Sequence, residues 1–423
     1  MAIGLATGST AYLAANFFAA SLSLALLPVL TRHLSPEEYG QAAMFLTVVS
    51  LCTGFVGLNG HAATARRHFD HLPAVEFASL MGACVQIIGA SALLLLLPLA
   101  CFHQWLSARL GLGTIWLVWA IAVSACAVLV QLIQAQWQVR GDVKAAAMQQ
   151  ISEALVVTLL TLFLVVVLKE GGVGRIVAII VSSAMFAVLA IVFLYRMKLL
   201  SLAAWRTQHV RYILQFGVPL VPHVMAAYVM TAADRIVITS ELGMAQAGIY
   251  MLAAHFAQVP AMVFDGVNKA YVPWLFQRLE NCPIDEKRRI VRYTYAWFAF
   301  LLLCGWGSFH FGPWLVKVVA GANFDTAGGG IGWVVLGQMV AGMYLMGTNY
   351  VVYAKRTGML SLVTVACAVL NMVLLLALIP EHGITGAGIA YCLAMAARFV
   401  LTWWIAHRSY PMPWFTHRSR GLR

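Results

Sequence analysis

MTAADRIVITSELGMAQAGIY, residues Met230–Tyr250, sets an acid beside an arginine, Asp234 and Arg235, in an apolar run that closes on a short turn and a Gly-x-Tyr helix start. In hydrocarbon each charge costs about 2.5–3.5 kcal/mol on insertion scales, so a membrane span that keeps both must use or compensate them. Whether the run is a membrane span is decided by the rest of the chain. Of its 423 residues 62% are hydrophobic and 10% charged, against about 25% charged in soluble domains. This composition specifies an all-α, polytopic membrane protein.

Working outward, apolar runs of span length fall at about 9–31, 40–60, 75–101, 112–138, 148–168, 174–196, 212–240, 246–274, 291–319, 328–354, 358–379 and 384–407. Twelve spans place both termini on one side. The N-terminus, MAIGLATGST, lacks the basic region of a cleaved signal, so the first run is expected to be a retained span. Orientation follows from the cations. With the N-terminus inside, 19 of the 27 Lys and Arg residues fall in inner segments and five, Arg32, Arg109, Lys169, Arg175 and Lys317, in outer ones. Arg235, Lys269 and Arg398 remain within spans. The net charge of +12 is thus a topological signal and not a nucleic-acid face.

The expected organisation is a six-helix bundle over 1–196, a cytoplasmic linker over 197–211, and a second six-helix bundle with a basic tail over 212–423. An internal repeat supports the division. LTRHLSPEEYGQAAMF at the end of span one and ITSELGMAQAGIYMLA at the end of span seven align without gaps, Leu34 on Leu242 and Gly40 on Gly248. Halves that both begin and end inside would be parallel repeats about an axis along the membrane normal.

Polar residues inside spans mark cavities or aqueous paths. They include Asn16, Glu153, Asp234, Arg235, His255, Asp265, Asn268, Lys269, Asn349, Asn371 and Arg398. Asp265 and Lys269 share a helix face at i, i+4 and can pair locally. Arg398 has no carboxylate within reach on its own span, which makes it a candidate anion ligand. Histidine is the side chain whose unperturbed charge change falls in the physiological range, so His255, with Glu153, is a candidate coupling group. Pro219 and Pro222 predict a bend at the start of span seven. Gly328–Gly330 reads as a connector. Eight cysteines lie mostly in apolar runs with no CxxC pair, so neither a metal site nor a disulfide framework is expected. No phosphate loop, HExxH or GxSxG is present, and the chain is not expected to be an enzyme.

SPEEYG at 35–40, ADR at 233–235 and LGMAQAGIYMLA at 242–253 resemble the Wzx-type polysaccharide flippases of the MOP exporter superfamily. The resemblance implies two six-helix bundles in a bacterial cytoplasmic membrane that move a polyprenyl-pyrophosphate-linked oligosaccharide outward. Cationic residues line the cavity in related lipid-linked-precursor flippases, and Arg235, Lys269 and Arg398 are the candidates here, with Asp234, Asp265 and Asn268 beside them. No cofactor is implied beyond a coupling H+ or Na+, and the implied partners are the lipid-linked glycan and a polysaccharide polymerase or chain-length protein. Two other functions stay open at this point: a cation-coupled drug or metabolite antiporter of the same superfamily, and an integral-membrane glycosyltransferase or polymerase.

Overall fold

An apolar segment in hydrocarbon must satisfy every backbone N–H and C=O internally, and helices do this within a single segment. The computed structural model describes residues 2–70, 72–201, 206–279, 283–320, 324 and 328–414, and among them there is no strand. The first seven helices are α1 (Ala2–His33), α2 (Pro36–Phe55), α3 (Gly60–His68), α4 (Ala74–Leu110), α5 (Thr114–Arg140), α6 (Val143–Leu162) and α7 (Gly171–Arg196). They are followed by α8 (Thr207–Gly217), α9 (Val221–Leu242), α10 (Met244–Leu279), α11 (Ile284–Ala320), α12 (Gly328–Tyr353) and α13 (Thr357–Ser409).

Ten of the described helical segments are long and apolar enough to cross a membrane. Two features extend that number to the twelve spans expected. The 53 residues of α13 would reach about 80 Å, well beyond a hydrocarbon core of about 30 Å. Inside it, Gly383 adopts φ 58°, ψ −140° soon after Pro380, so the chain turns there and crosses again. Span seven is α9, a helix of 22 residues that carries Asp234 and Arg235. Where the bend is expected, a 3-10 turn at Val218–Leu220 carrying Pro219 separates α8 from α9. Gly328–Gly330, by contrast, forms the first turn of α12 and not a connector.

The helices pack into two compact units, Met1–Gly248 with Val319–Asn323, and Ile249–Val318 with Phe324–Arg423. Sequence places the start of the second bundle at 212, but residues 207–248 pack with the first unit. Ile213 of α8 is fully buried in the core that Met81 and Cys84 of α4 form with Leu132 and Ile133 of α5, and α9 lies along α2. Residues 202–205 of the expected linker and the basic tail beyond Trp414 lie outside the described residues. In the second unit, Phe264, Phe298, Leu301, Met339 and Met343 form one core cluster, and Leu275, Ile290, Tyr350, Cys367 and Trp414 form another.

The start of α2 is fixed twice. Ser35 caps the helix by accepting from the Glu38 N–H at 3.2 Å, while the Glu38 carboxylate accepts from the Ser35 N–H at 2.8 Å. The second Glu38 oxygen accepts from the Gly172 N–H at 3.3 Å, which ties α2 to the start of α7. One turn on, Gly40 meets the first turn of α10 backbone to backbone. A Cβ on Gly40 would lie 2.5 Å from the Met244 carbonyl oxygen, and one on Gly248 would meet the Pro36 carbonyl oxygen closer still. Pro36 and Met244 are related by the same offset as Gly40 and Gly248, so the two repeated segments meet reciprocally.

Because backbone cannot yield as a side-chain tip can, Gly40→Ala or Gly248→Ala is expected to cost about 1–3 kcal/mol through overpacking. Gly89→Ala, where an added Cβ meets nothing within 4 Å, is expected to be neutral or stabilising. Thermal unfolding of the three purified variants in one detergent checks this order.

Candidate functional site

Arginines at membrane depth need acceptors, and carboxylates are scarce in this chain. The structure answers with threonines. In the first unit the Arg235 Nη1 donates to Thr47 Oγ1 of α2 at 3.2 Å. Thr47 is buried, and its own hydroxyl donates to the Ala43 carbonyl one turn earlier at 2.9 Å. The proton is thereby committed to the backbone, and the oxygen lone pairs are left facing the guanidinium. Asp234 is also buried, and one of its oxygens accepts from the Arg235 backbone N–H at 2.8 Å. Among the described residues Arg235 has no ion pair, and its Nε is buried without a hydrogen-bond partner.

Arg175, which stands at the outer boundary of span six in sequence, lies in the second turn of α7. The helix begins at Gly171, so the cation is carried inside the packed structure. It donates to Thr161 Oγ1 of α6, and the Thr161 hydroxyl donates to the Val157 carbonyl. Tyr39, buried on α2 just before Gly40, lies within the field of both Arg175 and Arg235.

In the second unit Arg398 repeats the device. Its Nη2 donates to Thr364 Oγ1 at 3.3 Å and to the Tyr344 hydroxyl at 3.0 Å. Its guanidinium carbon sits 4.0 Å from the centroid of the Tyr344 ring, a cation–π contact. The Thr364 hydroxyl again donates one turn back, to the Leu360 carbonyl at 2.9 Å. The Arg398 Nε is buried without a hydrogen-bond partner, and no carboxylate pairs with the side chain among the described residues.

Asp265 and Lys269 form the local pair their spacing suggests, Nζ to Oδ2 at 2.5 Å, with both side chains more than half exposed. Asn268 lies inward of this pair and accepts from the Asn349 amide of α12 at 2.8 Å. Tyr344 and Asn349 are about a turn and a half apart on α12, so one helix supports both Arg398 and the amide pair. In the first unit Glu153 accepts from Gln149 at 2.6 Å, and Gln149 in turn accepts from Gln134 of α5. Gln150 donates to Asn16 of α1 at 2.6 Å. His255 is half-buried on α10.

The profile of the family described as "Polysaccharide biosynthesis protein" matches residues 5–279. A curated relative from Haemophilus influenzae, described as an uncharacterized membrane protein, is 25% identical over 296 residues, covering 67% of this chain and 68% of its own. Among solved structures, the lipid II flippase MurJ in an inward closed conformation superposes with a TM-score of 0.77 at 14% identity, over 93% of this chain and 87% of that one. An inward-facing multidrug resistance MATE family transporter of the MOP superfamily superposes with a TM-score of 0.68 at 14% identity, over 92% and 93% of the two chains. At these identities the likeness is one of fold.

A hydrogen bond to a charged group contributes about 1.5–3 kcal/mol. Thr47→Val and Thr364→Val should therefore each lower the thermal unfolding midpoint in detergent. Thr53→Val, which removes only a bond to the Val49 carbonyl, should change it much less.

Proposed function

Because the chain belongs to the polysaccharide biosynthesis protein family, we propose that it flips a polyprenyl-pyrophosphate-linked oligosaccharide from the inner to the outer leaflet of a bacterial cytoplasmic membrane by alternating access. The observation that carries this reading is the set of threonine-held arginines. Hydroxyl oxygens position a guanidinium but leave its charge uncompensated, and a pyrophosphate can supply the missing negative charge with bidentate hydrogen bonds. Arg235 and Arg398 are assigned this role, and Arg175 joins them.

The remaining polar groups suit the rest of such a substrate. Side-chain amides donate and accept, as sugar hydroxyls do, and Asn268, Asn349, Gln134, Gln149 and Gln150 supply them inside otherwise apolar helices. Lys269, exposed beside Asp265, adds a cation that a lipid-linked phosphate can reach. Net transport against a gradient requires an energy source, and a coupled H+ or Na+ is the proposed one, with His255, Glu153, Asp234 and Asp265 as candidate carriers. The distribution of Lys and Arg supports cytoplasmic termini. The flipped glycan would pass to a polymerase or chain-length partner. The fold shared with a flippase and a transporter supports movement of a substrate over catalysis on it.

In a strain lacking the native protein, Arg235→Ala and Arg398→Ala are expected to insert at wild-type level yet lower glycan display about tenfold or more, the equivalent of one charge-assisted hydrogen bond. Arg398→Lys should fall between, because it keeps the charge and loses the planar fork. Full display by both alanine variants at normal protein level overturns the anion reading.

A further inference from the structure

The hairpin between α10 and α11 carries a second cationic site. At 37 residues, α11 is about 55 Å long, against a hydrocarbon core of about 30 Å, so its polar first turns extend through the headgroup layer. They meet the end of α10, where Trp274 stacks on Tyr271 with ring centroids 5.4 Å apart. Between them is a cavity of about 230 Å³ lined by Trp274, Arg278, Glu286, Arg289, Ile290 and Tyr293. That volume lies below the ~300–1,000 Å³ of sites for drug-sized ligands, which suits a lipid headgroup and not an oligosaccharide.

The cations here are not equivalent. Arg278 lies 4.3 Å from the centroid of the Trp274 ring and pairs through Nε with Glu286 at 3.1 Å. Arg288 pairs with Asp285 at 3.4 Å, and Lys287 lies 4.9 Å from the centroid of the Tyr410 ring, both outside the cavity lining. Arg289 lines the cavity with only a neutral partner, its Nε donating to the Tyr293 hydroxyl at 2.9 Å. The Nη groups remain for a ligand. Two guanidiniums against one carboxylate leave the lining one positive charge, which matches the single negative charge of a phosphodiester.

We propose that this cavity binds the phosphodiester headgroup of an anionic phospholipid in the leaflet on the basic side of the membrane. Arg289 takes the phosphate oxygens, Trp274 and Tyr293 wall the glycerol end, and Glu286 holds Arg278 and excludes groups of higher negative charge. The site is separate from the arginines assigned to transport.

The test presents purified full-length protein with equal amounts of phosphatidylglycerol and phosphatidylethanolamine and counts retained lipids by native mass spectrometry. Preferential retention of phosphatidylglycerol is expected, with a loss of about fivefold in Arg289→Gln. Glu286→Gln, which adds net positive charge, should raise retention, and Arg288→Gln should leave it unchanged. Wild-type retention by Arg289→Gln, an equal loss in Arg288→Gln, or equal retention of the two lipids overturns the proposal. Two competitors separate the sources of phosphate. Displacement by free glycerol phosphate at equal concentration would make the site one for a soluble phosphate, and displacement by undecaprenyl pyrophosphate would assign it to the transport substrate; either result overturns the lipid assignment.

Discussion

Two backbones meet at Gly40 and Gly248 where no side chain fits, and much of the first unit is arranged around that contact. In hydrocarbon there is little hydrophobic gain from packing one apolar helix against another, so close approach depends on small residues and on van der Waals contact between main chains. The capping box at Ser35 and Glu38 sets where α2 begins, and the Glu38 bond to Gly172 sets where α7 begins beside it. With those starts held, Thr47 lies about three turns along α2, at the height where Arg235 of α9 needs an acceptor. Displacing α2 by one residue would move the threonine away from the arginine by about 100° around the helix.

The charged residues show a common solution to a common cost. A cation within a membrane can be paired with a carboxylate, or held by neutral oxygens, which leave its charge uncompensated. Asp265 and Lys269 take the first course at a half-exposed surface. Arg235, Arg175 and Arg398 take the second, each with a threonine whose own proton is committed one turn back along its helix. These arginines are half-buried, and a chain that only needed stability would have had little use for them without carboxylate partners. Their retention with neutral acceptors is the physical basis for assigning them to an anionic substrate.

The number of spans, the bend at Pro219 and the local Asp265–Lys269 pair were legible because each depends on residues close in sequence. Charge density and run length give the spans, proline chemistry gives the bend, and i, i+4 spacing gives the pair. The reciprocal glycines were visible as an alignment of two short segments, but nothing in the letters said that they would touch. Arg175 stands at the edge of an expected span, and only the packing of α6 beside α7 shows that its guanidinium meets Thr161. The threonines were not legible at all. Thr47, Thr161 and Thr364 look like ordinary apolar-span threonines until the helix bearing an arginine is placed next to each.

By itself the sequence determined a membrane-embedded helical chain, its expected orientation and the few charges expected inside its spans, because hydropathy and charge act along the chain without reference to its neighbours. Tertiary structure alone decided which neutral groups meet the charges that have no local partner. It also grouped residues 207–248 with the first unit, because α8 and α9 bury their faces on helices far earlier in the chain. The reason is common to both: pairing and packing across helices depend on distances of a few ångströms between residues remote in sequence, and no local pattern encodes them.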